Sequence, residues 1–359
     1  MIRLLIVDDS ALMRRVLSAM FQTESDFEVR TACNGREAIE MNMAFEPDVI
    51  TLDINMPEMD GLTALSHLMV QRPVPVVMVS SLTEKGALAT LEALHLGAVD
   101  YLPKPDGTIS LSMDSLRDIV VDKVRMAASA RAPRGRRPSA RPPVTTTSTT
   151  TTDARKVSVT GEGVLLIGAS TGGPRTLEAV LSELPASFPF PVLVAQHMPA
   201  SFTGPFAHRL DNVCRLRVTE VNTLQSLKPG TVYIGRGGAD LHLVKRLSGL
   251  GVVSKPENTS YLWHPSVELL GRSALEQVPA ERLIAVMLTG MGHDGADAFT
   301  EIRKHGGRTV AESEESAVVF GMPGELVRRG GALLTLPSHQ IAAQLMDWVN
   351  DMSCEGAIA

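Results

Sequence analysis

The chain has 359 residues, of which 44% are hydrophobic and 21% charged, a composition typical of a globular protein with about two domains. The net charge of −6 is unevenly spread, since residues 1–124 carry 10 basic and 19 acidic side chains and residues 125–160 carry 8 and 1. This acidity of the first domain argues against nucleic acid as its direct target.

The cysteines and the first residues indicate a cellular location. Cys33, Cys214 and Cys354 lie far apart, which is typical of a reducing compartment and predicts neither a disulfide framework nor a metal site. The opening MIRLLIVDDS is too acidic for a signal peptide, and no apolar run reaches the ~18 residues of a membrane span. We expect a cytoplasmic protein without membrane insertion.

Apolar strands alternate with amphipathic helices over residues 1–126. The pattern predicts a helix over Ala11–Phe21 and strands at Arg3–Val7, Phe27–Thr31, Val49–Leu52, Val76–Val79 and Val99–Tyr101. Five β/α units predict a doubly wound parallel sheet.

Acidic residues follow two of these strands. Asp8 and Asp9 end the first and Asp53 ends the third, so three carboxylates should converge at one sheet edge. Such a cluster is stable around Mg²⁺, and Ser80 and Lys104 would offer a hydroxyl and an ammonium to a phosphoryl group on Asp53. The alternative is a helix cap with a surface ion pair.

The motifs VDDS, LDINMPEMDG, MVSS and YLPKP together resemble the receiver domain of bacterial response regulators. The resemblance implies phosphorylation of a strand-end aspartate in the presence of Mg²⁺. It assigns phosphorylation to Asp53, Mg²⁺ binding to Asp8, Asp9, Asp53 and the Asn55 carbonyl, and switching to Ser80, Lys104 and Tyr101.

Residues 127–160 interrupt the alternation. They are rich in arginine, proline and threonine and repeat with neither strand nor helix periodicity, so they cannot form a packed core. We interpret them as a flexible linker between domains at 1–126 and 161–352. Contact of the arginines with an acidic partner is the alternative.

A second α/β domain follows the linker. Strands are predicted at Val164–Gly168, Val192–Ala195 and Ile284–Leu288, each followed by a helix, and residues 214–262 should include a hairpin. We expect a doubly wound, mostly parallel sheet.

The segment Gly168–Gly172 reads G-x-S-x-G, the sharp turn that exposes a serine between a strand and a helix. No lysine follows at the spacing of a phosphate-binding loop. His197 and Asp294 also lie just past strands of the same predicted sheet. A serine nucleophile needs such a base, and the base needs such a carboxylate. A purely structural turn is the alternative.

Other residues compete for these roles or support them. His208, His242 and His264 are rival bases, and His293, which adjoins Asp294, is the most serious rival. Glycines in LTGMGHDG would let backbone amides approach a substrate oxygen closely, and we expect Thr171 and Met291 to supply those amides.

The motifs IGASTGGP, VAQHMP, LTGMGxDG and VVFGMPGE resemble the catalytic domain of the chemotaxis protein-glutamate methylesterases, the CheB family, in which a linker joins it to a receiver. The resemblance implies hydrolysis of glutamate methyl esters on chemoreceptors with release of methanol, and deamidation of receptor glutamines. A chemotaxis histidine kinase would be the phosphodonor, Mg²⁺ would serve only the receiver, and the esterase reaction would need no cofactor. The alternative function is a receiver-regulated receptor-binding module without catalysis.

Two short segments depart from the family pattern. His264 and Glu268 stand in a segment that usually reads RPSVD, and Glu312 and Ser313 stand where the family often reads AQDE. We expect these changes to spare the chemistry and to alter which receptor sites are accepted.

The linker should be the first target of limited proteolysis, because its arginines offer trypsin sites in a segment without a core. Trypsin should yield a fragment ending near residues 130–140 and another beginning near residue 155. First cleavage elsewhere, read by mass spectrometry, would contradict the domain boundaries.

Overall fold

The computed structural model describes residues 1–81, 83–104, 113–130 and 163–355, which form two α/β domains. Most of the expected linker lies outside the described residues, so its flexibility stays a prediction. Within the described ranges, no helix is both long and apolar enough to cross a bilayer.

The first domain has the predicted parallel sheet, with the strands in the order β2-β1-β3-β4-β5. Alternate residues of the first strand pack on opposite sides, because Leu5 and Val7 join one apolar cluster while Leu4 and Ile6 join another. The elements are β1 (Ile2–Val7), α1 (Ala11–Gln22), β2 (Phe27–Ala32), α2 (Gly35–Phe45), β3 (Val49–Asp53), α3 (Gly61–Gln71), β4 (Val76–Ser80), α4 (Glu84–Leu96), β5 (Asp100–Pro103) and α5 (Met113–Ser129).

Capping side chains define where the helices of this domain begin. Ser10, Asn34, Asp60 and Thr83 each accept a hydrogen bond from the backbone amide three residues later. Each bond satisfies an amide that has no partner within its helix. These caps begin the four helices that follow β1, β2, β3 and β4 along the chain.

The predicted domain boundary at residue 126 falls inside helix α5. Ala127 and Ala130 are buried against the apolar cluster that the first domain shares with α5. Their burial stabilises a helix that runs to Ser129, beyond the point at which the composition becomes rich in arginine and proline.

The second domain contains a seven-stranded parallel sheet with the order β15-β14-β13-β6-β7-β10-β8. The three predicted strands are confirmed, and four short strands were not predicted. The sheet consists of β6 (Val164–Ala169), β7 (Val192–Gln196), β8 (Arg217–Val221), β10 (Thr231–Gly235), β13 (Leu283–Met287), β14 (Arg308–Glu312) and β15 (Leu334–Leu336).

The predicted hairpin is also confirmed. Strands β11 (Ala239–Arg246) and β12 (Gly249–Pro256) pair antiparallel, and β9 (Gln225–Ser226) adds a third strand. The helices of this domain are α6 (Gly173–Glu183), α7 (Ala200–Val213), α8 (Val267–Gln277), α9 (Ala296–Lys304), α10 (Met322–Arg328) and α11 (Ser338–Glu355).

Each sheet has a crevice where the strand order reverses. In the first domain β1 lies between β2 and β3, and in the second β6 lies between β7 and β13. Helices that leave neighbouring strands in opposite directions open a crevice at the carboxyl ends of such strands, where α/β proteins bind ligands. Both predicted sites follow these strands.

The domains pack against each other through α4 and β5 of the first and α6 and α7 of the second. Tyr101 on β5 stacks on Phe202 of α7, with ring centroids 4.7 Å apart and planes within 7°. Both rings belong to one apolar cluster that is continuous between the domains. The carboxyl end of β6 therefore lies close to the first domain.

Candidate active site and acidic site

Ser170 and His197 leave neighbouring strands side by side. Ala169 and Gln196 are paired across β6 and β7, and the His197 amide donates to the Ala169 carbonyl at 3.1 Å. The buried Gln196 side chain donates from Nε2 to the carbonyls of Ser170 and His197, which fixes both strand ends. The two residues thus emerge about one strand spacing apart, ~4.8 Å.

The imidazole of His197 is held by Asp294. Nε2 lies 2.9 Å from Asp294 Oδ2, and the two side chains are 5% and 8% exposed. The other ring nitrogen, Nδ1, is buried and has no hydrogen-bond partner among the described residues. Among the described residues, no hydrogen bond joins Ser170 Oγ to the ring. Because Asp294 contacts Nε2, Nδ1 is the ring nitrogen that remains available to that hydroxyl.

The Asp294 carboxylate, which precedes α9 in the chain, contacts the amino terminus of helix α8. It accepts from Ser266 Oγ at 3.0 Å, from the Val267 amide at 2.7 Å and from the Glu268 amide at 3.0 Å. Burial raises the pKa of Asp294, but the hydrogen bond and charge of His197 and the two amides outweigh burial, so its pKa lies below the usual value. The helix dipole also favours the ionised form.

Two glycines shape the turn that exposes Ser170. Gly172 has φ of +77°, a conformation that L side chains rarely adopt, and any Cβ there would lie 2.6 Å from Val318. A Cβ on Gly290 would lie 2.8 Å from the Cβ of Ser170. These positions allow the 170–172 turn and the 289–292 loop to touch.

Neither of the two expected amide donors has an acceptor among the residues that the structure describes. Among the described residues, the amides of Thr171 and Met291 donate to no protein atom. The side chain of Thr171 makes a different contact, since its Oγ1 donates to Asp100 Oδ2 of the first domain at 2.6 Å. Asp100 also pairs with Lys123 at 3.0 Å.

Glu312, one of the residues that depart from the family pattern, lies inside the second domain. Its carboxylate is fully buried, and burial raises its pKa. It accepts from the Thr289 amide and from Ser316 Oγ, both at 2.8 Å. It therefore supports the 289–292 loop from inside, next to Ser313.

None of the rival histidines forms a hydrogen bond with Ser170 or Asp294 among the described residues. His208 is on α7 and His242 is on β11, whereas His264 pairs with Asp240 at 2.9 Å. His293 is exposed, and it is His197 that holds the Asp294 carboxylate. Glu268, which like His264 departs from the family pattern, accepts from the Ala298 amide and pairs with Arg272.

Sequence reasoning missed Trp263. Its ring stacks on His197 with centroids 5.3 Å apart and planes within 11°. A large aromatic residue three positions before the α8 cap Ser266 was the available signal.

The acidic cluster of the first domain has the predicted geometry. Asp8, Asp9 and Asp53 each offer a carboxylate oxygen within 4.8 Å of the others. Lys104 Nζ bridges Asp53 Oδ2 at 2.7 Å and Asp8 Oδ2 at 3.1 Å. Burial raises the pKa of Asp53 even though Lys104 opposes it, and the two carboxylates raise the pKa of Lys104 against its own burial.

The remaining predicted residues of this site differ in how close they come to the cluster. The Asn55 amide contacts Asp53 Oδ1 at 3.4 Å. Ser80 is buried and donates to the carbonyls of Ser81 and Gly86, so its hydroxyl is not on Asp53. Tyr101 is buried at the domain interface rather than beside the carboxylates.

Comparison with known proteins matches both domains. Residues 165–345 match the family model described as CheB methylesterase, and residues 4–112 match the response regulator receiver domain. Two full-length relatives are similar, both named protein-glutamate methylesterase/protein-glutamine glutaminase. The Rhodopseudomonas palustris protein is 52% identical and covers 98% of this chain and 99% of its own length, and the Rhodospirillum rubrum protein is 53% identical with 98% and 97% covered.

A solved structure agrees with the fold of the second domain. The Thermotoga maritima CheB methylesterase catalytic domain is 37% identical and covers 52% of this chain and 97% of its own, with a TM-score of 0.50. With two domain matches and relatives that align over almost the whole length, the chain belongs to the CheB family of receiver-linked protein-glutamate methylesterases.

Proposed function

We propose that this protein is a phosphorylation-regulated serine hydrolase that removes methyl groups from glutamate methyl esters of chemoreceptors and converts receptor glutamines to glutamate. The observation that carries the proposal is the convergence of Ser170, His197 and Asp294 at one crevice, with His197 Nδ1 buried and unpaired. The relatives' names agree with both activities.

The geometry supports nucleophilic catalysis. Asp294 holds the Nε2–H tautomer of His197, so Nδ1 can take the proton as Ser170 Oγ attacks the ester carbonyl. Collapse of the tetrahedral intermediate breaks the bond to the methoxy oxygen, which leaves as methanol with the proton from His197. Water then attacks the acyl-serine by the same proton transfers in reverse and releases glutamate.

The amides of Thr171 and Met291 are the proposed donors to the tetrahedral oxyanion. Both lie on the touching turns around Ser170 and are free to donate. Such donors stabilise charge that develops only in the transition state, and losing one typically costs ~10²-fold or more in kcat.

The first domain is the proposed regulator, with Asp53 as phosphoacceptor and a chemotaxis histidine kinase as phosphodonor. Asp8, Asp9 and Asp53 fit Mg²⁺, which prefers a few carboxylates together with waters and phosphate oxygens, and the Asn55 carbonyl is the further proposed ligand. When bound, Mg²⁺ would supply charge neutralisation for phosphoryl transfer. Lys104 already contacts Asp53, and Ser80 would have to rotate away from the Gly86 carbonyl to reach the phosphate.

The resting state is proposed to be inhibited through strand β5. Asp100 and Tyr101, at its start, contact Thr171 and Phe202, and Lys104 follows its end. The Asp100 carboxylate also puts negative charge beside the residue proposed to stabilise an oxyanion. Phosphorylation would draw Lys104 and Ser80 toward the phosphate and shift β5, which would loosen this contact.

A receptor-binding module without catalysis is not favoured. Such a module has no need for a serine, a buried histidine with a free nitrogen and a carboxylate held by four donors in one crevice.

Replacing Ser170 or His197 with alanine should abolish methanol release from methylated receptor membranes, because nucleophile and base act as a unit. Ser182→Ala is the control for Ser170→Ala, since that hydroxyl bonds within α6. His208→Ala is the control for His197→Ala. Full activity in the Ser170→Ala protein would contradict the proposal. Loss of activity in His293→Ala but not in His197→Ala would assign the role of base to His293.

Asp294→Asn should lower kcat by roughly 10⁴ if serine proteases are a guide. Asp294 accepts from four groups through two carboxylate oxygens. The asparagine side chain has only one acceptor oxygen, so it cannot hold His197 and the start of α8 in the same way. The exposed neighbour Asp297, changed to asparagine, is the matched control. A kcat within a few-fold of the wild type would contradict the role given to Asp294.

A small-molecule phosphodonor with Mg²⁺ should raise methylesterase activity of the full chain by about 5–150-fold, the range of typical allosteric couplings. Asp53→Ala should abolish this response. Deleting residues 1–140 should raise basal activity, and so should Asp100→Ala, which removes the contact with Thr171. Asp118→Asn on α5 is the control. Lower activity after the deletion, with activation of the intact chain preserved, would show that the first domain assists rather than inhibits.

A further inference from the structure

Trp263 covers one face of the imidazole of His197. The two rings are nearly parallel, with 11° between their planes and 5.3 Å between their centroids. The edge of the same imidazole is held by Asp294 at Nε2, and only 5% of the side chain is exposed. The indole is half-buried and belongs to the segment that leads into helix α8.

The segment that carries Trp263 is fixed by a buried carboxylate. Asp240 on β11 is 1% exposed, and its Oδ1 contacts His264 Nδ1 at 2.9 Å and the Ser266 amide at 3.0 Å. Its Oδ2 accepts from the Asn258 amide at 2.9 Å. The chain is therefore anchored on both sides of Trp263, so the indole is placed by the protein core rather than by the imidazole alone.

Residues 263–268 also hold the carboxylate partner of His197. Ser266, Val267 and Glu268 donate the three hydrogen bonds that fix Asp294. One short segment thus determines both the plane of the imidazole and the position of the carboxylate at its edge.

We propose that Trp263 is a positioning residue for the hydrolysis, acting through His197. The proposal rests on the proposed role of His197 as general base. The indole restrains rotation of the imidazole about its bond to Cβ, which keeps Nδ1 directed at the Ser170 side of the crevice. Its π face also stabilises the imidazolium that forms when His197 takes the serine proton, as aromatic faces do for other cations.

Kinetics of the phosphodonor-activated full chain test this role. Trp263→Leu should lower kcat roughly tenfold, which corresponds to about 1.4 kcal/mol of transition-state stabilisation, and should leave KM within about twofold. Trp263→Phe, which keeps a π face, should recover most of the loss. The control is Trp348→Phe, at the second tryptophan of the chain, which lies on α11.

A raised KM with unchanged kcat in Trp263→Leu would overturn the proposal, because the indole would then bind substrate instead of orienting the base. Equal loss in the leucine and phenylalanine variants would overturn it as well. If the wild-type chain releases no methanol, the proposed function is wrong. Fluorescence then still tests whether Trp263 contacts His197.

Fluorescence tests the contact without any catalysis. With Trp348 replaced by phenylalanine, Trp263 is the remaining tryptophan. The stacked imidazole shields the indole from water, so the emission maximum of Trp263 should move to longer wavelength in His197→Ala and stay in place in His208→Ala. An unchanged emission maximum in His197→Ala would show that the two rings are not in contact and would overturn the proposal.

Discussion

The catalytic crevice depends on one buried carboxylate at a helix amino terminus. Asp294 accepts from two backbone amides and a hydroxyl at the start of α8 and from the Nε2 of His197. Charge-assisted hydrogen bonds are about twice as strong as neutral ones, and a buried carboxylate is stable only when its acceptor sites are filled. These donors and His197 lower the pKa of Asp294, and its contact with Nε2 leaves His197 Nδ1 without a partner among the described residues.

The neighbouring turns are supported by further buried polar groups. Gln196 holds the carbonyls of Ser170 and His197, and Glu312 holds the amide of Thr289. Thr289 in turn donates from Oγ1 to the Thr171 carbonyl at 2.9 Å. Residues on three strand ends are thereby tied together by hydrogen bonds from buried side chains, an arrangement that holds a nucleophile with little reorganisation.

The two domains use the same feature of a parallel sheet for different chemistry. In each, polar side chains follow strands on either side of a reversal in strand order, where the helices diverge. Strand β5 connects the two sites, because Lys104 contacts the acidic cluster while Asp100 and Tyr101 contact the second domain. A shift of strand β5 would therefore change contacts at both crevices.

The sequence by itself determined the two α/β domains and the residues that end their central strands. Strand alternation and motifs such as VDDS and GASTG are local, so they indicate which side chains reach a sheet edge without any knowledge of packing. The convergence of Asp8 with Asp53 and of Ser170 with His197 was predictable because the carboxyl ends of parallel strands lie at one edge of a sheet. The short strands β8, β10, β14 and β15 were not predicted from the sequence.

Only the tertiary structure decided which atoms meet. It assigned Asp294 to Nε2 of His197, stacked Trp263 on that ring and buried Glu312 beneath the 289–292 loop. It also joined Asp100 to Thr171, 71 positions apart in the chain. Such contacts depend on how helices and domains pack, and no residue spacing encodes the distance between side chains on separate elements.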